Sequence, residues 1–170
     1  MKIDLGCGGK KCDPSFIGVD SMPLPGVDVV IDIRVHPWPW ADGSIEYAFS
    51  SHFVEHLTGE ERIGFFNELW RVMKPGALAE IITPDWSHAS AYGDPTHKWP
   101  PMSSWYVVYL DRQWREASIC HIPYTCDFTG TYGYTPDARF ANQSQDVVRQ
   151  HVGHSINAAQ NLHVKLTKRV

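Results

Sequence analysis

The stretch Lys2-Ile3-Asp4-Leu5-Gly6-Cys7-Gly8-Gly9 decides the fold of this chain. A short apolar strand that carries one carboxylate, on Asp4, runs directly into a turn rich in glycine. Gly6, Gly8 and Gly9 can adopt positive φ values and have no Cβ, so a bound molecule can approach the main-chain amides closely. The stretch therefore predicts a strand that ends in a ligand-binding loop.

The spacing of these glycines separates two kinds of nucleotide-binding loop. A dinucleotide-binding loop has glycines at its first, third and sixth positions and a helix that begins beneath a pyrophosphate. Counting from Gly6, the sixth position is Lys11, so the dinucleotide pattern is broken. The segment from Asp4 to Gly9 reads Asp-x-Gly-x-Gly-Gly instead.

Further strand-like segments follow the loop along the chain. Together with the first strand, strands are predicted at about 2–6, 16–20, 28–32, 45–50 and 78–83. The second segment ends in Asp20 and the third has Asp32 near its end. A carboxylate at the end of a strand can accept hydrogen bonds from both hydroxyls of a ribose. The segment Arg71-Val72-Met73-Lys74-Pro75-Gly76 leads into the fifth strand.

In this order the segments resemble the class I S-adenosylmethionine-dependent methyltransferase family, in a compact type-11-like form. The resemblance depends on the Asp-x-Gly-x-Gly-Gly loop, the strands that end near Asp20 and Asp32, and the segment 71–76, and it covers roughly the first half of the chain. It implies an α/β fold: a Rossmann-like, mostly parallel seven-stranded sheet with an antiparallel last strand. It also implies S-adenosyl-L-methionine as cofactor and S-adenosyl-L-homocysteine as product.

The resemblance further assigns roles to individual residues. Asp20 is expected on the ribose, Asp32 near the adenine, and Asp4 beneath the loop that holds the amino-acid part of the cofactor. The residues expected to bind the cofactor are Asp4, Gly6, Cys7, Gly8, Asp20, Asp32, Ile33, Ser50, Ser51 and His52. The residues expected to be catalytic are His97, in an Asp-Pro-x-His stretch, and His52, at the end of the fourth strand. The alternative for His97 is a loop histidine that bonds its own turn.

Length and charge restrict the possible classes of protein. The chain has 170 residues, which suits one domain over 1–170. Its net charge of −4 makes nucleic acid an improbable partner, since non-specific binding depends on clustered Lys and Arg. No run of eighteen apolar residues is present, so no membrane association is expected and a cytoplasmic location is predicted. The four cysteines lack paired C-x2-C spacing and are expected to be reduced thiols.

The spacing of apolar residues predicts the remaining elements. A helix is expected over 59–74, capped by Thr58, with Ile63, Phe66, Leu69, Trp70 and Met73 on its core face. After the fifth strand we expect a long loop over 84–101, a helix within 103–118, a strand over 125–134, a helix over 143–152 and a last strand over 161–168.

The connections between the first three strands are short. Parallel neighbours usually need a crossover of roughly a dozen or more residues, so the helices around strands one to three must be reduced. One face of this half of the sheet should then lack helices. We expect Trp38, Trp40 or a partner subunit, for example in a homodimer, to cover it.

The segment His52-Phe53-Val54-Glu55-His56 spells H-x-x-E-H, a zinc-hydrolase pattern with two imidazoles one helical turn apart. The favoured interpretation is that this segment caps the fourth strand and that no metal is bound. A zinc hydrolase and a cofactor-binding protein without turnover remain as alternatives to a methyltransferase. Thr83-Pro84-Asp85-Trp86 stands where the family's base-methylating members have Asn/Asp-Pro-Pro-Tyr, which favours a small-molecule or glycan acceptor.

Overall fold

The structure, a computed structural model, describes residues 1–170. Seven strands form one sheet in the order β3-β2-β1-β4-β5-β7-β6. They are β1 Lys2–Leu5, β2 Ile17–Asp20, β3 Val29–Val30, β4 Ile45–Ser51, β5 Met73–Pro84, β6 Phe128–Pro136 and β7 Ala159–Lys168. Strand β7 is antiparallel to both β5 and β6, while the pairs formed among β1 to β5 are all parallel. The predicted mostly parallel sheet with an antiparallel last strand is confirmed.

The helices are few and lie mainly in the second half of the chain. They are α1 Gly59–Val72, α2 Ser90–Gly93, α3 Trp105–Tyr109, α4 Arg112–Ala117 and α5 Gln145–Val152, with short 3-10 turns at Val54–His56 and Ala138–Phe140. No helix connects β1 to β2 or β2 to β3, as the short connections predicted. The helix expected over 103–118 is two short helices, α3 and α4, and the third strand has only two residues. None of the helices combines the length and the apolar character needed to cross a lipid bilayer.

Helix α1 begins with a capping box. The Thr58 hydroxyl accepts from the Glu61 amide, and the Glu61 carboxylate accepts from the Thr58 amide, so two otherwise unpaired donors are satisfied. The helix ends at Val72, two residues before the predicted end, because Met73 is extended and pairs with Ile45 of β4. Its buried residues are Arg62, Phe65, Phe66, Leu69 and Val72, whereas the predicted core residues Ile63 and Trp70 are only half-buried.

The sheet has one buried face and one open face. Alternate residues such as Ile3, Leu5, Val19, Ala48 and Ile81 are at most 1% exposed and form the buried face with α1. The residues between them point to the open face and include the half-buried Tyr47, Phe49, Leu78, Glu80 and Ile82. The connection before β2 lies against this face, where the Phe16 ring packs edge-on against Tyr47 with ring centroids 5.5 Å apart.

Trp38 and Trp40 do not cover the open face, so that part of the prediction is wrong. The Trp38 ring packs edge-on against Phe65 of α1 at 5.6 Å and against Trp40 at 6.1 Å. Its indole donates to the Ile33 carbonyl at 2.9 Å. The two tryptophans therefore fill the place of a helix between β3 and β4, on the side of the sheet that α1 covers.

Arg71 of α1 holds this tryptophan segment. Its guanidinium donates to the carbonyls of Trp38 and Trp40 and to the carboxylates of Glu68 and Asp42. Glu68 also accepts from the Trp38 amide at 2.8 Å. The segment is thus fixed to the helix by charged groups as well as by ring packing.

Helix α5 closes the β6 edge of the sheet. The Gln145 side chain accepts from the Tyr134 amide at 2.9 Å and donates to the Tyr134 carbonyl at 3.0 Å. Arg149 donates to the Tyr132 carbonyl at 3.2 Å. These side chains satisfy main-chain groups that would otherwise be free to pair with another strand.

Replacement of Arg71 by Ala should destabilise the protein markedly. The variant loses hydrogen bonds to Glu68 and to two carbonyls, and one hydrogen bond to a charged group contributes about 1.5–3 kcal/mol. We expect the free energy of unfolding in urea to fall by about 2 kcal/mol or more. Lys74→Ala is the matched control, because Lys74 pairs with Glu46 on the surface and exposed pairs contribute little. Equal losses in the two variants would contradict this role of Arg71.

The same pair predicts a loss of stability in acid. Hydrogen bonds from Arg71 hold the pKa of Glu68 below its usual range. A carboxylate with a lowered pKa in the folded state stabilises the protein above its unfolded pKa of about 4.3, and this stabilisation disappears as the pH falls through the lowered value. The free energy of unfolding in urea should therefore fall less between about pH 6 and pH 3 for Glu68→Gln than for the native chain.

Candidate functional site

A cavity of about 230 Å³ lies beside the carboxyl ends of β1 and β2. Ligands of open α/β sheets bind at this edge of the sheet. The residues that line the cavity are Gly6, Asp20, Ser21, Asp32, Ile33, Arg34, Phe53, His56 and Leu57. The predicted cofactor-binding residues Gly6, Asp20, Asp32 and Ile33 are thus brought together here.

The glycine loop adopts the backbone conformation that its sequence predicts. Gly6 has φ +72° and Gly8 has φ +60°, values that side chains with a Cβ rarely adopt. A Cβ on Gly6 would also lie 2.5 Å from the Phe53 ring. The amides of Gly6 and Cys7 both donate to the Val19 carbonyl, which ties the start of the loop to β2.

Asp4 lies beneath this loop, outside the set of residues that lines the cavity. It is 2% exposed, and its carboxylate accepts from the Cys12 amide at 2.7 Å. Burial raises the pKa of Asp4. Asp4 therefore holds the connection that follows the loop, and its expected support of the cofactor-binding loop stays a prediction.

Asp20 lines the cavity, and two main-chain amides hold its carboxylate. One oxygen accepts from the Gly8 amide at 2.9 Å and the other from the Met22 amide at 3.0 Å. Each carboxylate oxygen can accept about two hydrogen bonds, so one position on each remains for a ligand. Two adjacent hydroxyl groups match this arrangement.

Asp32 is engaged by a neighbouring cation. Arg34 donates from Nε and Nη2 to its two oxygens at 2.9 and 2.8 Å. These hydrogen bonds lower the pKa of Asp32. A ligand amino group would share Asp32 with Arg34, while Ile33 contributes a buried wall of the cavity.

The other predicted residues lie near the cavity but outside its lining. Ser50 is fully buried, and its hydroxyl donates to the Leu5 carbonyl at 2.9 Å, so it connects β4 to β1. Ser51 is half-buried at the end of β4. Cys7 lies within the glycine loop, and burial raises the pKa of its thiol. Gly8 contributes its amide to Asp20.

His52 directly follows β4, and its backbone is left-handed, with φ +54°. Its Nδ1 lies 3.2 Å from Oε1 of Glu55, and this contact raises the pKa of His52. The His52 side chain is 51% exposed, whereas that of Glu55 is 4% exposed. The imidazole is therefore accessible from solvent while its carboxylate partner is not.

The loop after β5 brings His97 against His56. The two rings pack edge-on with centroids 4.8 Å apart. Nδ1 of His97 lies 3.3 Å from the Ala91 carbonyl, within the same loop. His97 lines a second cavity, of about 180 Å³, together with Tyr92, Lys98 and Trp99 among others.

Buried Arg62 fixes this loop to the turn that carries His56. Its guanidinium donates to the carbonyls of Val54, Glu55, Lys98 and Pro100. Four main-chain acceptors thus satisfy a side chain that is 6% exposed. The contact spans residues far apart in sequence, so no local pattern could have predicted it.

The site contains residues that the sequence analysis missed. Ser21, Arg34, Phe53, His56 and Leu57 line the first cavity without having been predicted. The H-x-x-E-H segment was the available signal for His56, but it was interpreted as a strand cap. The zinc-hydrolase geometry requires a helix over this segment, whereas residues 54–56 form a single 3-10 turn and His52 lies in the bend between β4 and that turn.

Comparison with known proteins agrees with this geometry. Residues 3–81 match the family model described as "Methyltransferase domain". The fold matches a SAM-dependent methyltransferase from Archaeoglobus fulgidus with TM-score 0.67 and 18% identity, over 98% of this chain and 85% of that one. No curated protein matches the chain in sequence.

Two further solved structures share the fold. A SAM-dependent methyltransferase from Thermotoga maritima, described as a possible histamine N-methyltransferase, matches with TM-score 0.60 and 14% identity over 99% of this chain and 81% of that one. Phosphoethanolamine N-methyltransferase 2 from Haemonchus contortus, in complex with S-adenosyl-L-methionine, matches with TM-score 0.54 and 13% identity over 99% and 48%.

Replacement of Gly6 by Ala tests the close approach of the loop to Phe53. The left-handed conformation alone should cost about 1–2 kcal/mol, and the contact with the ring should add about 1–3 kcal/mol. Gly43→Ala is the matched control, because Gly43 has φ +63° and no atom within 4 Å of the added Cβ. Urea unfolding should show the larger loss for Gly6→Ala, and Phe53→Ala in the same chain should remove the excess. Equal losses of unfolding free energy at both glycines would contradict the effect of the Phe53 contact.

Proposed function

Starting from the class I S-adenosylmethionine-dependent methyltransferase fold that this chain has, and from the methyltransferase domain over residues 3–81, we propose that the protein transfers a methyl group from S-adenosyl-L-methionine to a small-molecule or glycan acceptor. The observation that carries the proposal is Asp20. Asp20 lines the cavity beside a loop that contains two left-handed glycines, and each of its oxygens has one acceptor position left.

We propose that the cavity holds the nucleoside part of the cofactor. Its volume of about 230 Å³ is below the range of about 300–1,000 Å³ usual for pockets that enclose a whole drug-sized ligand. The methionine part would then extend along the backbone of Gly6 to Gly9. Asp20 would accept from the ribose hydroxyls, and Asp32 would lie near the adenine amino group.

The reaction is an in-line displacement at carbon. A lone pair of the acceptor attacks the methyl carbon, the carbon–sulfur bond breaks, and its electron pair returns to sulfur, which loses its positive charge. The acceptor proton goes to a base, and S-adenosyl-L-homocysteine leaves. Alignment and exclusion of water account for most of the catalysis. His52 and His97 are the proposed proton acceptors.

The surroundings of His97 support a small-molecule or glycan acceptor. Trp99 is 78% exposed and Tyr92 is 57% exposed, and both line the 180 Å³ cavity beside His97. Aromatic faces of this kind can stack on a sugar or another planar group. The net charge of −4 disfavours nucleic acid. The open face of the sheet offers a surface that a second copy of the chain could cover, which supports a homodimer. A cytoplasmic location stays a prediction.

A second candidate is a cofactor-binding protein without turnover. The feature that favours it is the compact N-terminal half, in which no helix connects β1 to β2 or β2 to β3. Calorimetry with S-adenosyl-L-methionine and S-adenosyl-L-homocysteine, followed by a methyl-transfer screen, separates the two functions. Binding followed by transfer supports the enzyme, whereas binding without transfer favours the second candidate. Absence of binding contradicts both.

Asp20→Ala should abolish cofactor binding. Each hydrogen bond to a charged group contributes about 1.5–3 kcal/mol, so losing two should raise the dissociation constant at least about 100-fold. Calorimetry with S-adenosyl-L-homocysteine measures the change directly.

Asp28→Ala is the matched control. Asp28 accepts from Lys11 and from the Gly18 amide and does not line the cavity. Its loss should lower the unfolding midpoint and leave the affinity of the folded fraction unchanged. If the two variants lost affinity equally, the assignment of Asp20 would be wrong.

A further inference from the structure

We propose that Glu55, His56 and His97 form a binding site for a divalent transition-metal ion. One potential ligand atom from each of the three side chains lies within 4.8 Å of the other two. Glu55 and His56 come from the turn after β4, and His97 comes from the loop after β5. The site differs from the H-x-x-E-H zinc pattern, because His52 is absent from it and Glu55 is a ligand.

Glu55 supplies the observation that points most directly to a missing partner. Its side chain is 4% exposed, and its Oε2 is buried without any hydrogen-bond partner. The other oxygen, Oε1, contacts His52. A buried carboxylate oxygen without a partner is costly, and a bound cation would satisfy it.

The hydrogen bonds of His56 leave Nε2 free to bind a metal. The Thr96 hydroxyl donates its only proton to the Asp94 carboxylate at 2.6 Å. Towards His56 Nδ1, 2.9 Å away, the Thr96 oxygen can therefore only accept. Nδ1 then carries the imidazole proton and Nε2 keeps its lone pair.

His97 is fixed in the same tautomer by a different acceptor. Its Nδ1 lies 3.3 Å from the Ala91 carbonyl, which can only accept a hydrogen bond. Nε2 of His97 then keeps its lone pair, and its charged neighbour is Oδ2 of Asp94 at 3.8 Å, beyond hydrogen-bond distance. Histidines that bind metals usually donate their other ring N–H to a carbonyl or carboxylate, and both imidazoles here meet that condition.

Two imidazole nitrogens and one carboxylate oxygen suit Zn²⁺ and neighbouring divalent transition metals. A four-coordinate tetrahedral ion with bond lengths of about 2.1 Å places two of its ligand atoms about 3.4 Å apart. A pair at the 4.8 Å limit of the unliganded cluster must therefore close by about 1.4 Å when the ion binds. The four carbonyl contacts of Arg62 hold the loop that carries His97 in range for this movement.

Three protein ligands leave at least one position on the ion for an outside ligand. His56 also lines the first cavity, and His97 lines the second. The open position is therefore available to water or to an acceptor atom between the two cavities. In the metal-bound protein His97 is a ligand, and His52 alone remains as proton acceptor.

Titration of the purified protein with Zn²⁺ in a calorimeter tests the site, with visible absorption of the Co²⁺ complex as a second signal. We expect one ion per chain and a Co²⁺ spectrum of nitrogen and oxygen ligands without a thiolate charge-transfer band. His97→Ala and Glu55→Gln should each weaken binding at least about 100-fold, since loss of an outer partner alone costs about 10–100-fold. The exposed His154→Ala is the matched control and should bind as the native chain does.

Thr96→Val keeps the shape of the loop and removes the acceptor of His56 Nδ1. It should weaken Zn²⁺ binding by about 10–100-fold, a change that a purely structural role of Thr96 would not produce. Native affinity in both His97→Ala and Thr96→Val, or a thiolate band in the Co²⁺ spectrum, would overturn the proposal. Because the readout is metal binding, failure here leaves methyl transfer untouched, and failure of methyl transfer leaves this site untouched.

Discussion

Bonds between carboxylates and main-chain amides hold the N-terminal half of the sheet together, because helices are absent there. Asp4 accepts from Cys12, Asp20 from Gly8, and Asp28 from Gly18. Each bond joins a strand to a connection that is too short for a helix. Of these three carboxylates Asp20 also lines the cavity, so at this position ligand binding and folding depend on the same side chain.

Two arginines of one helix, the buried Arg62 and the partly exposed Arg71, organise the other side of the site. Arg62, near the start of α1, binds carbonyls of the turn after β4 and of the loop after β5. Arg71, near its end, binds the tryptophan segment that stands in for a helix. Because α1 packs its apolar face on the sheet, it transmits the position of the sheet to both loops. The relative placement of His56 and His97 depends on this arrangement.

The sequence predicted the fold well because its signals are local. A strand, a glycine loop and strands that end in acids occur in order, and this order carries the family resemblance that implied the sheet. The prediction for Trp38 and Trp40 was wrong, because residue spacing does not say on which side of a sheet a connection crosses. His56 and Arg62 were missed for a related reason, since their roles arise from contacts with a loop some 35 to 40 residues away in the chain.

The two edges of the sheet explain how a protein with so few helices can avoid self-association through its strands. At one edge β3 offers only two residues for pairing. At the other edge Gln145 and Arg149 already occupy main-chain groups of β6. A neighbouring chain therefore finds a very short strand at one edge and an interrupted row of free main-chain groups at the other, which disfavours extension of the sheet into a fibre. The faces of the sheet carry no such obstacle to association.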